Sequence, residues 1–464
     1  MTILIEPEQI CAFKDVGELL TEKIQQLSKG IASKEGALRI EISLERLDLL
    51  AWLAAQKTDL KIFWSSREEQ FETAGVGAAH EIIGSKPGDY TTALRQMNRI
   101  LDSQPKARYF GGFSFHDQVS AQKWQNFGSC RFILPQFEVC QKAKKTVFVC
   151  NILLNGSLSA TQQSVLKELK KINFLNQKSP EKMPLVKSRQ DHPSREQWID
   201  TIKKTLVSFK NSEYKKVVLA RQSTFELSDI LDPIAFFAKI RELTPNCFHF
   251  LFQPSADSTF IGASPERLYK RQGRLIESEA VAGTRPRGKT LQQDKEFQEE
   301  LCNSKKEERE HFLVVDAIKE ILERTCQSFI VHNVKSLMKF KWGQHLVTHF
   351  KGNLKSSISD SQLLGLLHPT PAVAGCPTAW ALEKIKKLEG FDRGWYAGPI
   401  GYIGHDQAEF AVAIRSGLIS GKQLSLFAGA GIVEGSSPRA EWAEVEQKIS
   451  IFRQALNDGF AIDG

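Results

Sequence analysis

The sequence has no Cys-x-x-Cys pair and no clustering of cysteine with histidine, which argues against a structural zinc site and a dithiol redox centre. Its cysteines, Cys11, Cys130, Cys140, Cys150, Cys247, Cys302, Cys326 and Cys376, are scattered and read as reduced, mostly buried thiols of a cytoplasmic protein. There is no HExxH, so a zinc-protease site is not expected. No apolar run approaches the roughly 20 residues that cross a bilayer. The opening MTILIEPEQICAF has no basic stretch ahead of an apolar one, so no secretory signal is read there. Lys and Arg form no dense blocks interleaved with aromatics, and nucleic acid is not an expected partner.

What is present is ordinary for a soluble enzyme. Of 464 residues, 41% are hydrophobic and 25% charged, which is ample for a large core. The net charge, 62 − 54 = +8, is mild over this length and suits an anionic small substrate.

The richest stretch is Phe427 to Lys448, FAGAGIVEGSSPRAEWAEVEQK. A β-type run delivers Gly429, Gly431 and Gly435, where backbone can approach a ligand closely. Ser437-Pro438 then starts a helix. On it Glu441, Glu444 and Lys448 share a face at i, i+3 and i+7. Upstream, Asp294 to Cys326 reads as one long helix, and its KEEREH places Glu307 and Glu310 at the same i, i+3 spacing. Two helices with carboxylate pairs suit a hard cation such as Mg²⁺. A solvated ion-pair face is the alternative, and the commoner use of such spacing.

Residues 37–154 are mainly β with short helices and carry no evident acid–base or ligating group, so they read as scaffold. Residues 155–192 are polar and lysine-rich, the best linker candidate. The strand YKKVVLARQSTFEL (214–227) sets Lys216, Val218 and Ala220 on one face. Burial disfavours an ammonium, so Lys216 is a candidate general base, with a surface lysine as the alternative. Glu266 follows Ser264-Pro265 at a turn. Shielded from water it would keep its proton and act as a general acid; otherwise it pairs with an arginine such as Arg267. His345 and His349 fall in an alternating β context and are not read as a metal pair. HPTPAVAG (368–375) is a rigid loop. Arg415, at a strand end, suits two-pronged binding of a carboxylate.

Seven segments, in this order, resemble the chorismate-using enzymes: ASPERL (263–268), EAVAGTRPRG (279–288), KEEREH (306–311), HPTPAVAG (368–375), WYAGPIGY (395–402), AIRSG (413–417) and AGAGIVEGSSPRAEWAEVEQK (428–448). That family includes isochorismate, salicylate, anthranilate and aminodeoxychorismate synthases. The likeness covers residues 214–456, with weaker signals such as GVGAA and RFILPQFE before them. It implies an α/β fold of the α+β type: a single large domain of two packed, curved antiparallel β-sheets flanked by helices. Residues 1–192 would be the variable N-terminal part of that fold and 193–464 the chorismate-binding catalytic region. The resemblance also implies a Mg²⁺ site. Glu310 and Glu444 match metal-ligand positions, and Glu307 and Glu441 match acids that reach the metal mostly through water. Arg415 and the backbone at Gly429 match groups that hold substrate carboxylates. Thr284 and Lys448 fall at substrate-side positions, and His368 matches an active-site histidine.

Within the family, Lys216 matches a position that resembles glutamine in ammonia-adding members and a water-activating lysine in water-adding ones. Ala282 stands where the aminodeoxychorismate members, with a PIKGT-like motif, use a lysine covalently. HPTPAVAGCP stands where salicylate-forming members resemble SGIPK. These matches favour isochorismate synthase; TRPRG, similar to the anthranilate branch, is a departure outside the reacting centre. A salicylate synthase, an anthranilate-type subunit and a non-catalytic binding protein on the same scaffold are the alternatives. The implied reaction has Lys216 take a proton from water attacking C2 of chorismate while Glu266 protonates the departing C4 hydroxyl. No obligatory glutaminase subunit is expected. Menaquinone and siderophore or salicylate synthesis both draw on isochorismate, and the extended N-terminal half leans toward the first.

Overall fold

The computed structural model describes residues 2–5, 11–27, 36–68, 71–84, 90–116, 122–154, 156–174, 182–210 and 214–456. Twenty strands lie among them, with eleven α-helices around them. The strands join one hydrogen-bonded network that forks at the long strand Cys130–Lys142. One edge of that strand pairs with Phe71–Gly84. The other pairs with Lys145–Leu154 over residues 137–142 and with Arg108–Phe113 over residues 130–133.

From Phe71–Gly84 a first arm runs through Lys61–Ser65, Phe248–Ser255, Ser258–Ser264, Ser416–Ser420 and Gln423–Val433 to Lys216–Leu227. From Arg108–Phe113 a second arm runs through Pro399–Gly404, Gln407–Val412, Arg267–Gln272 and Leu275–Pro286 to Gly343–Leu354 and Cys326–Lys339. All these pairings are antiparallel. The arms are the two packed antiparallel sheets expected from the sequence, and they share a strand. Aromatic rings fill the space between them: Tyr402 of the second arm meets Trp64 and Phe71 of the first edge-on, at 6.2 and 5.4 Å between centroids. Rings of this size dominate the apolar burial that holds such layers together.

Two short segments carry the chain directly from one arm to the other. Pro265-Glu266 joins Ser258–Ser264 to Arg267–Gln272, and Ala413-Ile414-Arg415 joins Gln407–Val412 to Ser416–Ser420. The crossings are bonded to each other. Val412 N donates to Glu266 O at 3.1 Å, and Ala263 N to Arg415 O at 3.0 Å.

Two local expectations are corrected. Residues 155–192, read as a linker, hold the helix Leu158–Leu169 and the strand Val186–His192, which pairs with Lys216–Leu227; residues 155 and 175–181 lie outside the described residues. A half-exposed helix and a charged edge strand have the polar composition of a linker. The single helix read over 294–326 is two, Leu291–Asn303 and Lys305–Thr325. Ser304 divides them, its hydroxyl accepting from Glu307 N at 3.3 Å as an N-cap. The break matters because it puts Glu307 and Glu310 in the opening turns of the second helix.

Candidate active site

Both crossings, the ends of the two arms, and the helices Lys305–Thr325 and Pro438–Ala455 enclose a cavity of about 800 Å³, its open mouth included. Eight of the eleven residues singled out from the sequence line it. Glu266 and Arg415 come from the crossings, Thr284 and Gly429 from the two arms, and Glu307, Glu310, Glu444 and Lys448 from the helices. Lys216 lies one layer back, wholly buried, with Nζ 2.8 Å from Glu310 Oε1 but without the alignment of a hydrogen bond. Glu441 is turned toward Lys306 at 2.8 Å.

His368 is not on the cavity wall. It is buried against Phe115, ring centroids 5.8 Å apart, beside Arg393. Arg393 pairs with Glu389 and donates to Val373 O and Val218 O, both at 2.9 Å. This layer therefore shapes the Val218 and Val373 wall from behind.

The wall histidine is His345, in register with Thr284 across the two strands. Its Nδ1 lies 3.3 Å from Gly283 O and 3.0 Å from Thr284 Oγ1. A carbonyl oxygen only accepts, so Nδ1 carries the hydrogen and Nε2 is left as an acceptor. That Nε2 is buried without a partner. Burial, with Arg415 and Lys448 nearby, pushes the ring down to about 3, so it is neutral at physiological pH. The sequence reading set His345 aside with its alternating strand. Only its pairing with Thr284 places it on the wall.

Glu266 is the group whose electrostatics stand out. Burial, then the neighbouring Glu279 carboxylate, push it up to about 8 against the pull of Lys216 and Lys448. It therefore keeps its proton at neutral pH. Burial pushes the Arg415 guanidinium down to about 10. Arg415 stacks 4.1 Å over Trp342 and stands at φ +50°, a strained conformation for a non-glycine residue. Gly429 O accepts from Lys448 Nζ at 2.8 Å. In an antiparallel strand a residue's N–H and C=O point to the same side. The amides of Gly429 and, two residues on, Gly431 therefore aim the same way, off the edge of Gln423–Val433 that pairs no described strand beyond Phe427.

The four helix acids are matched one for one by basic groups: Lys216 with Glu310, Arg285 with Glu307 at 2.9 Å, Lys306 with Glu441, and Lys448 with Glu444 at 2.6 Å. Burial and Glu310 push the Glu307 carboxyl up, and burial and Glu444 push Glu441 up. Burial opposes the charge of Glu444 too, but Lys448, Lys306 and Arg415 outweigh it and hold that carboxyl below its usual range.

A sequence model of the chorismate binding enzymes matches residues 22–457. The chain belongs to the chorismate-binding enzyme family. It is 32% identical to the isochorismate synthase MenF of Haemophilus influenzae over 95% of this chain and 96% of that protein. It is also 32% identical to the chloroplastic isochorismate synthase 2 of Arabidopsis thaliana, over 92% of this chain and 82% of that one. The solved structure of MenF, the menaquinone-specific isochorismate synthase of Escherichia coli, matches with a TM-score of 0.86 at 28% identity, covering 96% of this chain and 99% of that one.

The Mg²⁺ implied by the resemblance to the chorismate-using enzymes fits the donors present. All four are carboxylates, the ligand type a hard cation takes, and the side chain of Glu441 is buried. Among the described residues, no three such groups already stand together as a ligand set, because each acid leans on its own basic partner. Gly431 bears on this arrangement. A Cβ there would sit 2.4 Å from Glu310 Oε1 and 3.0 Å from Lys216 Cε. In this chorismate-binding enzyme Gly431→Ala is expected to displace the Lys216–Glu310 pair and cut turnover by about 10²-fold. Steady-state kinetics on the folded variant check this, and unchanged turnover would show that the pair has room to move.

Proposed function

We propose that this protein is an isochorismate synthase, converting chorismate to isochorismate with a divalent cation, Mg²⁺. The observation that carries the reading is Glu266, a carboxyl held protonated on the wall of a cavity that has a buried lysine just behind it. Chorismate carries two carboxylates. Arg415 and the amides of Gly429 and Gly431 hold one of them. Glu310 and Glu444, with Glu307 and Glu441 around them, would hold Mg²⁺, which would supply positive charge toward the ring carboxylate. Lys216 accepts a proton from the water that adds at C2. The ring double bonds shift, and Glu266 gives its proton to the C4 hydroxyl, which leaves as water. One water enters and one leaves, so the product is an isomer of the substrate. Thr284 and His345 lie along the same wall. His368 supports the wall from behind.

Residues 193–464 act as the catalytic region, completed by 1–192. The full-length likeness to proteins named MenF favours supply of menaquinone synthesis over siderophore synthesis. No described helix is long and apolar enough to cross a membrane, and a cytoplasmic enzyme working without a glutaminase subunit is the matching picture.

Purified protein, chorismate and Mg²⁺ test the reading by chromatography of the products. Isochorismate alone, with no glutamine requirement, is expected. Salicylate with pyruvate, or anthranilate formed only with an ammonia source, would replace the reading with the corresponding synthase. Glu310→Ala and Glu444→Ala are each expected to weaken Mg²⁺ binding at least about tenfold, read by calorimetry and by the Mg²⁺ dependence of melting. Wild-type Mg²⁺ titration in both would remove the metal assignment.

A further inference from the structure

One side chain of the N-terminal half reaches the crossing that bears Glu266. Arg67 lies just past the strand Lys61–Ser65. Its Nη1 donates to the carbonyl of Pro265 at 2.8 Å and to Glu279 Oε1 at 2.5 Å, and its Nη2 donates to Glu279 Oε2 at 2.8 Å. Glu279 is wholly buried on the second arm, and its Oε1 also accepts from the backbone N–H of Arg267 at 2.8 Å. The residues on both sides of Glu266 are thus tied to one ion pair. A planar guanidinium suits this task. It holds a carboxylate with two bonds and still aims an N–H at a carbonyl, which a lysine ammonium does with no fixed geometry.

The surroundings leave Glu279 committed to that pair. Arg267 turns its own guanidinium to Glu68 and Glu409, and His349 Nε2 is 3.9 Å from Glu279 Oε2. Glu279 is in turn the like charge facing Glu266, while Lys216 and Lys448 face it from the cavity side. An uncompensated carboxylate at that depth would be expelled or protonated; Arg67 first, and then Arg267 with its backbone N–H, let Glu279 stay charged there.

We propose that Arg67 is a positioning residue for the general acid: with Glu279 it fixes the Pro265-Glu266 crossing from both sides and keeps a negative charge behind Glu266. The proposal rests on the acid role assigned to Glu266 above. Four variants test it, each assayed with chorismate across pH and checked by melting: Arg67→Ala, Arg67→Lys, Glu279→Gln and Glu266→Gln. Arg67→Ala is expected to lose about 10²-fold in kcat, the scale of a misplacement of about 1 Å. Its KM should stay within about twofold, because the groups that bind substrate are untouched. Arg67→Lys should recover less than about a tenth of the lost rate, since charge without the fork does not hold both partners. Glu279→Gln, of the same shape without the charge, is expected to move the alkaline limb of kcat/KM to lower pH, because Glu266 then gives up its proton more readily. Should Arg67→Ala fail to fold, Arg67→Lys and Glu279→Gln carry the test. Wild-type kcat in a folded Arg67 variant, or an unmoved alkaline limb in Glu279→Gln, overturns the proposal. Wild-type turnover in Glu266→Gln would instead overturn the role of Glu266 itself.

Discussion

Glu266→Gln is expected to lower chorismate turnover by about 10²–10⁴-fold, the usual contribution of a positioned general acid. The amide keeps the shape of the side chain and the backbone bonds of the crossing, Glu266 N to Ser264 Oγ and Val412 N to Glu266 O. It has no proton to give to a leaving hydroxyl. In the wild-type enzyme activity should fall as pH rises through about 8, where Glu266 ionises. That limb should be absent from whatever activity the variant retains. Stability gives an independent reading. The folded value lies above the ordinary carboxyl value, so below about 4.5 both folded and unfolded chains are protonated at this site and burial costs nothing in ionisation. Between about 4.5 and 8 the unfolded chain ionises while the folded one does not, and the fold loses up to ~1.4 kcal/mol per pH unit. Glu266→Gln should therefore melt higher than wild type at pH 8 and show little gain near pH 4.5. A variant with wild-type turnover, or one with no melting gain at pH 8, would mean that Glu266 is not a buried neutral acid.

Most residues of the cavity wall were legible because they sit in unbroken segments. Closely spaced glycines on a strand, carboxylates at i, i+3 and an arginine at a strand end keep their meaning without knowledge of what lies opposite. The packed antiparallel sheets followed from the family resemblance. What stayed hidden depends on contacts made at long range. Arg67 reaches Pro265 across 198 positions, and no local pattern marks it among the other surface-type arginines. His345 was hidden for a different reason: the alternation that identified its strand gave both strand faces equal standing, and only the pairing with Thr284 shows which face meets the cavity. The pairing of Arg285 with Glu307 and of Lys306 with Glu441 likewise joins residues distant along the chain. At Ser304 the signal was present, a serine three residues before Glu307, but the apolar stripe continuing on either side outweighed it. Lys-rich residues 155–192 show the limit of composition, since an edge strand protected by charge and a flexible linker use the same residues.

Lys216→Ala should also abolish most turnover, by about 10²–10⁴-fold if the lysine is the base that takes the proton of the attacking water. Loss of rate alone does not identify a base here. Lys216 is fully buried and its Nζ faces Glu310, so the substitution leaves that carboxylate without its basic partner. Removing one partner of a buried pair costs about 3–5 kcal/mol, and the variant should melt lower for that reason. The two contributions separate in three measurements. Lys216→Gln fills the space and can still donate to Glu310, so it should recover part of the melting loss while remaining inactive with water as nucleophile. The double variant Lys216→Ala/Glu310→Ala should likewise recover stability, since no charge is left unpaired, and gain no turnover. Small primary amines added to Lys216→Ala should restore measurable turnover, because they return a base to the vacated space. Recovery of turnover in the double variant would reduce Lys216 to a counter-ion for Glu310. Near-wild-type turnover in Lys216→Gln would do the same, and would leave the proton of the attacking water to be taken by another group on the cavity wall.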